Sequence, residues 1–312
     1  MTGHGFFQYL RLKLFATLFR LMIFRRTRAG IKKDLAISDN PERKLVQIPS
    51  RDTGRFIEAW LYSPPDSTTS QEKKPLLVNW HGSGFVFTNL GTDVAFCSRI
   101  ARDTGAFVLD ADYRKGPEVT YPGAIHDVED TLKWVASQQE QFDLKRVGVS
   151  GFSSGGTLAL IAASTLRKQL APLEISLVIG GYPGTDLASD PAGKTVPNPI
   201  RPIPAKVLDI FRDCYVPDVT LRTEPLVSPA FADPALYPPT VAIFTCEGDV
   251  LAPEAIRLAE KLNDGKRKVV NINLQGVHHG FNHAAEPGTN DWKQREIFHE
   301  VSIKTMKEAF GL

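Results

Sequence analysis

Apolar residues along this chain follow two rhythms. One is the short uninterrupted run of a strand buried on both faces; the other is the three-and-four spacing of a helix with one apolar side. Runs of the first kind lie at 75–80, 106–112, 147–150 and 174–180, and two further strand runs at 240–245 and 267–274. Helical spacing covers 92–103, 124–139, 157–166, 205–215, 253–262 and 291–310, so that each run is followed by a helix. Ahead of them, 44–48 and 55–62 alternate as two antiparallel strands joined by a turn at Arg51-Asp52-Thr53-Gly54. Strands alternating with helices predict an α/β fold: a mostly parallel eight-stranded sheet flanked by helices.

Two stretches stand outside this rhythm. Phe7, Leu10, Leu14, Leu18, Leu21 and Met22 recur at helical spacing, which predicts an amphipathic helix over 6–24. Arg11, Lys13 and Arg20 interrupt it, so it lacks the roughly 20 apolar residues of a membrane span. Two uses stay open and are compatible: a lid packed over the mouth of a site, or a basic helix lying on an anionic membrane surface. The straddling of the apolar stripe by Arg11 and Lys13 favours the lid. The second stretch, 183–239, is proline-rich with one helical piece at 205–215. It interrupts the order after the sixth strand, at the sheet edge where α/β proteins bind ligands, and is expected to complete the lid. The domain reading is a cap segment over 1–40 and a catalytic domain over 41–312 that carries the cap insertion.

Composition narrows the class. The 312 residues are 42% hydrophobic and 23% charged, as in an ordinary globular protein. A formal charge of +2 hides an asymmetry: residues 1–33 hold eight of the 37 Lys and Arg and no acid, leaving 29 against 35 acids, or −6, for the remainder. The body therefore has no footprint for nucleic acid. Cys97, Cys214 and Cys246 are odd in number and lack C-x-x-C spacing, which indicates neither a disulfide framework nor a thiolate zinc site. The chain also has no Asn-x-Ser/Thr sequon, which fits a reducing compartment. The expected location is cytoplasmic, with contact to an internal membrane through the first helix left open, and the expected assembly is a monomer or a homodimer.

Chemistry gathers at three strand ends. The run 147–150 enters Gly151-Phe152-Ser153-Ser154-Gly155-Gly156 and then a helix, a strand-turn-helix arrangement that stands a serine on a sharp bend. Asp249 and His279 follow the strands at 240–245 and 267–274. A serine hydroxyl is a poor nucleophile until an imidazole takes its proton, and the imidazole needs a carboxylate to fix its tautomer. Ser153, Asp249 and His279 are thus the candidate catalytic residues. His278 is the runner-up base, and Glu247 and Glu254 are the runner-up acids. After the strand at 75–80, the glycine-rich His81-Gly82-Ser83-Gly84-Phe85 can aim backbone N–H groups at a developing oxyanion, with His81 expected to brace the loop. Asp112-Tyr113-Arg114 and Asp127 read as a structural brace between a loop and a helix.

These motifs resemble the hormone-sensitive-lipase-like branch of the α/β-hydrolases over nearly all of 75–281. His81 to Phe85 is similar to that family's H-G-G-G loop, Asp112-Tyr113-Arg114 with Gly116-Pro117-Glu118 to its D-Y-R-x-A-P-E stretch, and Gly151 to Gly156 to its G-D-S-A-G-G turn. Ser228-Pro229, Asp249-Val250-Leu251 and His279-Gly280-Phe281 match its S-P, D-P-L and H-G-F stretches. The resemblance implies an α/β-hydrolase fold with a helical cap and a serine esterase without cofactor or metal. It also implies Ser153 as nucleophile, His279 as base, Asp249 as acid, and an oxyanion hole from the N–H groups of Gly82, Ser83 and Ser154. The chain departs from the pattern at Ser83, Phe152 and Ser154, as in fungal-type members. Phe85, Phe152 and Phe281 are expected to line an apolar substrate pocket. The expected partner is a small hydrophobic ester of small to medium acyl length. An acyltransferase or lactone-forming enzyme would use the same three residues, and a small-molecule receptor would keep the scaffold but need no complete triad.

Overall fold

The structure, a computed structural model, describes residues 3–38, 42–65 and 72–312. The boundary expected at 40/41 and part of the loop expected before the third strand lie outside the described residues. Among the described residues, eight strands form one sheet: β1 Arg43–Pro49, β2 Phe56–Tyr62, β3 Lys74–Trp80, β4 Phe107–Ala111, β5 Phe142–Phe152, β6 Ile175–Gly181, β7 Thr240–Cys246 and β8 Lys268–Leu274. Their order is β1-β2-β4-β3-β5-β6-β7-β8. Pairings β1/β2 and β2/β4 are antiparallel and the remainder parallel. This is the α/β-hydrolase arrangement predicted from the motifs.

Alternation along the strands divides the apolar side chains between two cores. In β3, Leu76, Val78 and Trp80 face the core shared with α3 (Gly123–Ser137), α4 (Ser154–Ala163) and α6 (Ala252–Leu262), while Leu77 faces the one shared with α2 (Val94–Thr104) and α7 (Asn290–Phe310). Helix α4 is buried along its whole length, as its apolar composition on every side requires. The expected brace is present: Asp127, fully buried, accepts both terminal nitrogens of Arg55 at 2.7 and 2.8 Å and the Arg114 amide at 2.7 Å. Cys97, Cys214 and Cys246 are buried and free.

The first helix, α1 (Phe6–Ile37), runs well past the expected 6–24. It docks through the side opposite the apolar stripe. Leu12 and Ala16 are buried against Val86 and Cys214, and Phe19 stacks on Phe87 at 5.2 Å. Lys13 and Arg20 both turn inward to Glu118, and Arg20 also donates to Val86 O and Gly116 O at 2.9 Å. Near the far end, Asp34 accepts from Arg295 at 2.8 Å and from the Ala284 amide at 3.0 Å. Ionic anchoring of this kind explains why the helix continues through a stretch with no clear apolar rhythm. The second stretch outside the rhythm, after β6, contains α5 (Ala205–Tyr215), whose Phe211 meets Phe87 edge-on at 5.4 Å.

Candidate active site

Strand β5 passes into α4 through a turn that holds Ser153 at φ 52° and ψ −121°, a conformation that L-residues rarely adopt and that the nucleophile elbow uses to expose its serine. A Cβ at Gly151 would stand 2.3 Å from Gly155 O, and one at Gly155 only 1.9 Å from Trp80 O, so neither position has room for a side chain. The Ser153 amide is tied to Gly181 O at 2.8 Å. Its hydroxyl borders a cavity of about 670 Å³ at the C-terminal edge of the parallel strands.

Two further loops reach the same point. Asp249, buried after β7, accepts the Leu251 amide on one oxygen at 3.1 Å and lies 2.7 Å from His279 Nδ1 through the other. His279, after β8, has its Nε2 2.8 Å from Ser153 Oγ. The side chains of all three residues named from the sequence thus form one continuous hydrogen-bonded chain.

The runners-up are engaged with other partners. Arg201 donates to His278 Nε2 at 3.4 Å, and His278 Nδ1 lies 2.7 Å from His279 O. Glu247 accepts the Gly276 amide at 2.8 Å. Glu254 accepts the Thr185 and Asp186 amides at 2.7 and 3.2 Å and pairs with Lys194; burial pushes its carboxyl up against the pull of that ammonium.

Beside Ser153, His81 is buried with Nε2 3.0 Å from Asp112 Oδ1 and Nδ1 3.2 Å from Gly82 O, so it braces the loop. Asn89 Nδ2 also donates to Gly82 O at 2.9 Å. Burial alone would raise the Asp112 carboxyl, but Lys115 and His81 outweigh it and hold the group far below the usual carboxylate range. Gly82, Ser83 and Ser154 all border the cavity. The Ser154 amide lies in the first turn of α4, where a helix supplies no acceptor. The Ser83 amide is not idle: it donates to Ser154 Oγ at 2.9 Å. Tyr113 completes this clasp, its hydroxyl donating to His81 O at 2.8 Å and meeting Ser83 Oγ at 2.7 Å and Ser154 Oγ at 3.0 Å.

Of the three pocket phenylalanines expected from the sequence, only Phe85 borders the cavity. Phe152 and Phe281 are corrections. Phe152 turns into the core under α2 and α7, edge-on to Phe96 at 5.2 Å, and fills the space that a side chain at Gly181 would need. Phe281 is buried against Tyr182. The apolar walls come instead from Phe19 of α1, from Phe85 and Phe87, and from Leu187, Val207, Leu208 and Phe211 after β6. Arg26 and Arg201 also border the cavity. Tyr182, missed in the sequence, has φ 38° and lies edge-on to His279 at 4.8 Å, with its hydroxyl 2.5 Å from Asn282 Oδ1. Its place directly after β6 was the available signal. Among the described residues, no group of three or more His, Cys, Asp or Glu is placed to hold a metal ion.

An eight-stranded sheet of this order, with a serine elbow after β5 and acid and histidine loops after β7 and β8, defines an α/β-hydrolase. The chain belongs to that family: residues 77–283 match its alpha/beta hydrolase fold model. Esterase LipI of Mycobacterium tuberculosis is 30% identical over 78% of this chain and 76% of its own length. Ethyl acetate hydrolase of Pseudomonas putida is 28% identical over 76% and 74%. Among solved structures, a hyperthermophilic esterase from the archaeon Pyrobaculum calidifontis superposes with a TM-score of 0.80 at 26% identity, covering 95% of this chain and 94% of that one.

Proposed function

We propose that the protein is a serine carboxylesterase that forms an acyl-enzyme on Ser153. The observation that carries this reading is the chain Ser153 Oγ, His279 Nε2, His279 Nδ1, Asp249 Oδ2, with steps of 2.8 and 2.7 Å between residues. Its family and its esterase relatives place the chain among carboxylic ester hydrolases. Ser153 Oγ attacks the ester carbonyl as His279 Nε2 takes its proton; Asp249 holds the Nδ1 proton and balances the imidazolium. The N–H groups of Gly82, Ser83 and Ser154 receive the oxyanion, His279 returns the proton to the departing alcohol, and water then releases the acid by the same relay.

The cavity supports a substrate that is hydrophobic and of small to medium acyl length. At about 670 Å³ it falls within the usual range for small-molecule sites, and much of its wall is apolar. The cap segment over 1–40 and the insertion over 183–239, which supply Phe19 and Phe211 to the cavity, act in this reading as the cap over the catalytic domain. The departures at Ser83, Phe152 and Ser154 support placing the chain among fungal-type members, and the outward side of α1 supports contact with a membrane surface.

Two measurements test the reaction. A fluorophosphonate should label Ser153 and not the Ser153→Ala variant, and that variant should lose turnover across a p-nitrophenyl ester series from acetate to palmitate. Labelling elsewhere, or wild-type rates without Ser153, would overturn the reading. Product analysis with an added alcohol separates hydrolysis from acyl transfer.

A further inference from the structure

Seen from solvent, α1 presents a continuous apolar stripe to nothing in the described chain. Phe7 is 84% exposed, Leu14 61%, Leu18 58% and Leu21 68%, and Phe6, Leu10 and Met22 are also exposed. Helical spacing places 7, 14, 18 and 21 on one side, opposite the Leu12 and Ala16 that fasten the helix to the body. An exposed apolar face of this length on a protein surface marks an interaction site.

Charge selects the occupant. Arg11, Arg25, Arg28 and Lys32 are exposed, and among the described residues none has an acidic partner. Two of the three basic residues that interrupt the stripe, Lys13 and Arg20, point inward to Glu118, while Arg11 stays on the exposed side. Residues 1–33 contain no acid, and the first one, Asp34, is buried against Arg295. Arg25, Arg28 and Lys32 continue the outward side beyond the apolar stripe. A second copy packed through the same helix would bring these cations no acid, since residues 1–33 contain none; an anionic bilayer satisfies both parts of the face at once.

We propose that α1 lies flat on an anionic lipid surface, with Phe7, Leu14, Leu18 and Leu21 inserted among the acyl chains and Arg25, Arg28 and Lys32 at the headgroups. The inner side of the same helix supplies Phe19 and Arg26 to the cavity, so docking sets one wall of the substrate site beside the membrane. Binding itself does not depend on the reaction. Only its consequence, a supply of membrane-dissolved esters, rests on the esterase reading.

The test is flotation of the full chain with vesicles of equimolar phosphatidylcholine and phosphatidylserine, and with vesicles of phosphatidylcholine alone. The protein should float with the first and weakly or not at all with the second, and added salt should release it. Leu14→Glu with Leu18→Glu, and separately Arg25→Glu with Arg28→Glu, should each weaken binding at least tenfold. Both pairs are exposed and outside the cavity, so turnover of a soluble p-nitrophenyl ester should stay at wild-type level. A wild-type protein that stays in the aqueous fraction overturns the proposal, as does undiminished binding of either double variant. A dimer in sedimentation that Leu14→Glu with Leu18→Glu abolishes, without vesicle binding, assigns the face to a second copy instead. Loss of ester turnover by Ser153→Ala leaves the binding result untouched, so the two readings fail separately.

Discussion

Ser154→Ala is the sharpest probe of the proposed oxyanion site, because at rest one of its three donors is engaged. The Ser83 amide donates to Ser154 Oγ at 2.9 Å, and an oxyanion can use that N–H fully only by displacing the hydroxyl. A hydrogen bond between neutral groups contributes about 1 kcal/mol net, and one to a charged group about 1.5–3 kcal/mol. With the clasp in place, the Ser83 amide therefore delivers about 1 kcal/mol less to the transition state than a free one would. Removing the hydroxyl should raise kcat/KM about fivefold, since 1.4 kcal/mol corresponds to a factor of ten.

The same change should cost stability. Tyr113 keeps its bond to His81 O and its contact with Ser83 Oγ, so only the bonds made by Ser154 are lost. At roughly 1 kcal/mol this predicts a fall in Tm of about 1–2 °C in a chain of this length. Steady-state kinetics on p-nitrophenyl butyrate and a thermal melt read the two effects. A tenfold fall in kcat/KM would refute the reasoning and make the Ser154 hydroxyl a donor to the transition state. Unchanged kinetics with an unchanged Tm would remove the clasp altogether.

Other outcomes follow from the same geometry. His279→Ala should reduce kcat by roughly 10⁴-fold or more, whereas His278→Ala, whose ring faces Arg201, should stay within a few-fold of wild type; the reverse ranking would move the base to position 278. Phe211→Ala opens the wall above Gly84 and should move the preferred acyl chain in the p-nitrophenyl series to longer members, each methylene that finds room gaining roughly fourfold in kcat/KM; an unchanged ranking would detach Phe211 from acyl selection. A pH effect should come from Asp110, which shares the Asn79 amide with Asp93 at 2.9 Å on each side. Burial raises the Asp110 carboxyl from 3.8 to about 6, with Asp93 also raised. A raised carboxyl favours the folded state most below its unfolded pKa, and that advantage is lost as pH rises through about 6. Asp110→Asn cannot ionise, so its Tm relative to wild type should climb between about pH 4 and about pH 7; a pH-independent difference would exclude the titration.

How much of this was readable in the chain depended on whether a residue's partner was close in sequence or type. Strands β3, β4, β6 and β7 declare themselves because both faces are buried and the side chains are mainly apolar, with few polar positions such as Asn79 and Asp110. The start of β5 does not, because Asp143, Lys145 and Arg146 break the run while Asp143 and Arg146 pair with each other. Ser153, Asp249 and His279 were nameable because each follows a recognisable strand, and strand ends converge at one edge of a parallel sheet. Phe152 and Phe281 were misplaced for the converse reason. An apolar ring beside a catalytic residue fits a substrate wall and a protein core equally well, and neighbours in sequence cannot separate the two.

Helix α1 shows the limit most clearly. A period of 3.6 reveals that a helix has two sides, but not which side the body will take. Burial of apolar area favours turning the stripe inward. Here Leu12 and Ala16 allow close approach, Lys13 and Arg20 converge on Glu118, and Asp34 meets Arg295 in a buried pair. Turning the helix over would leave Arg295 buried without Asp34, and an unpaired buried charge of this kind costs about 3–5 kcal/mol. Partners 98 residues away at Glu118 and 261 residues away at Arg295 hold the helix by the side with fewer large apolar residues. The stripe left outside is therefore a consequence of how the helix is fastened, and it is available to a lipid surface without any rearrangement of the site it adjoins.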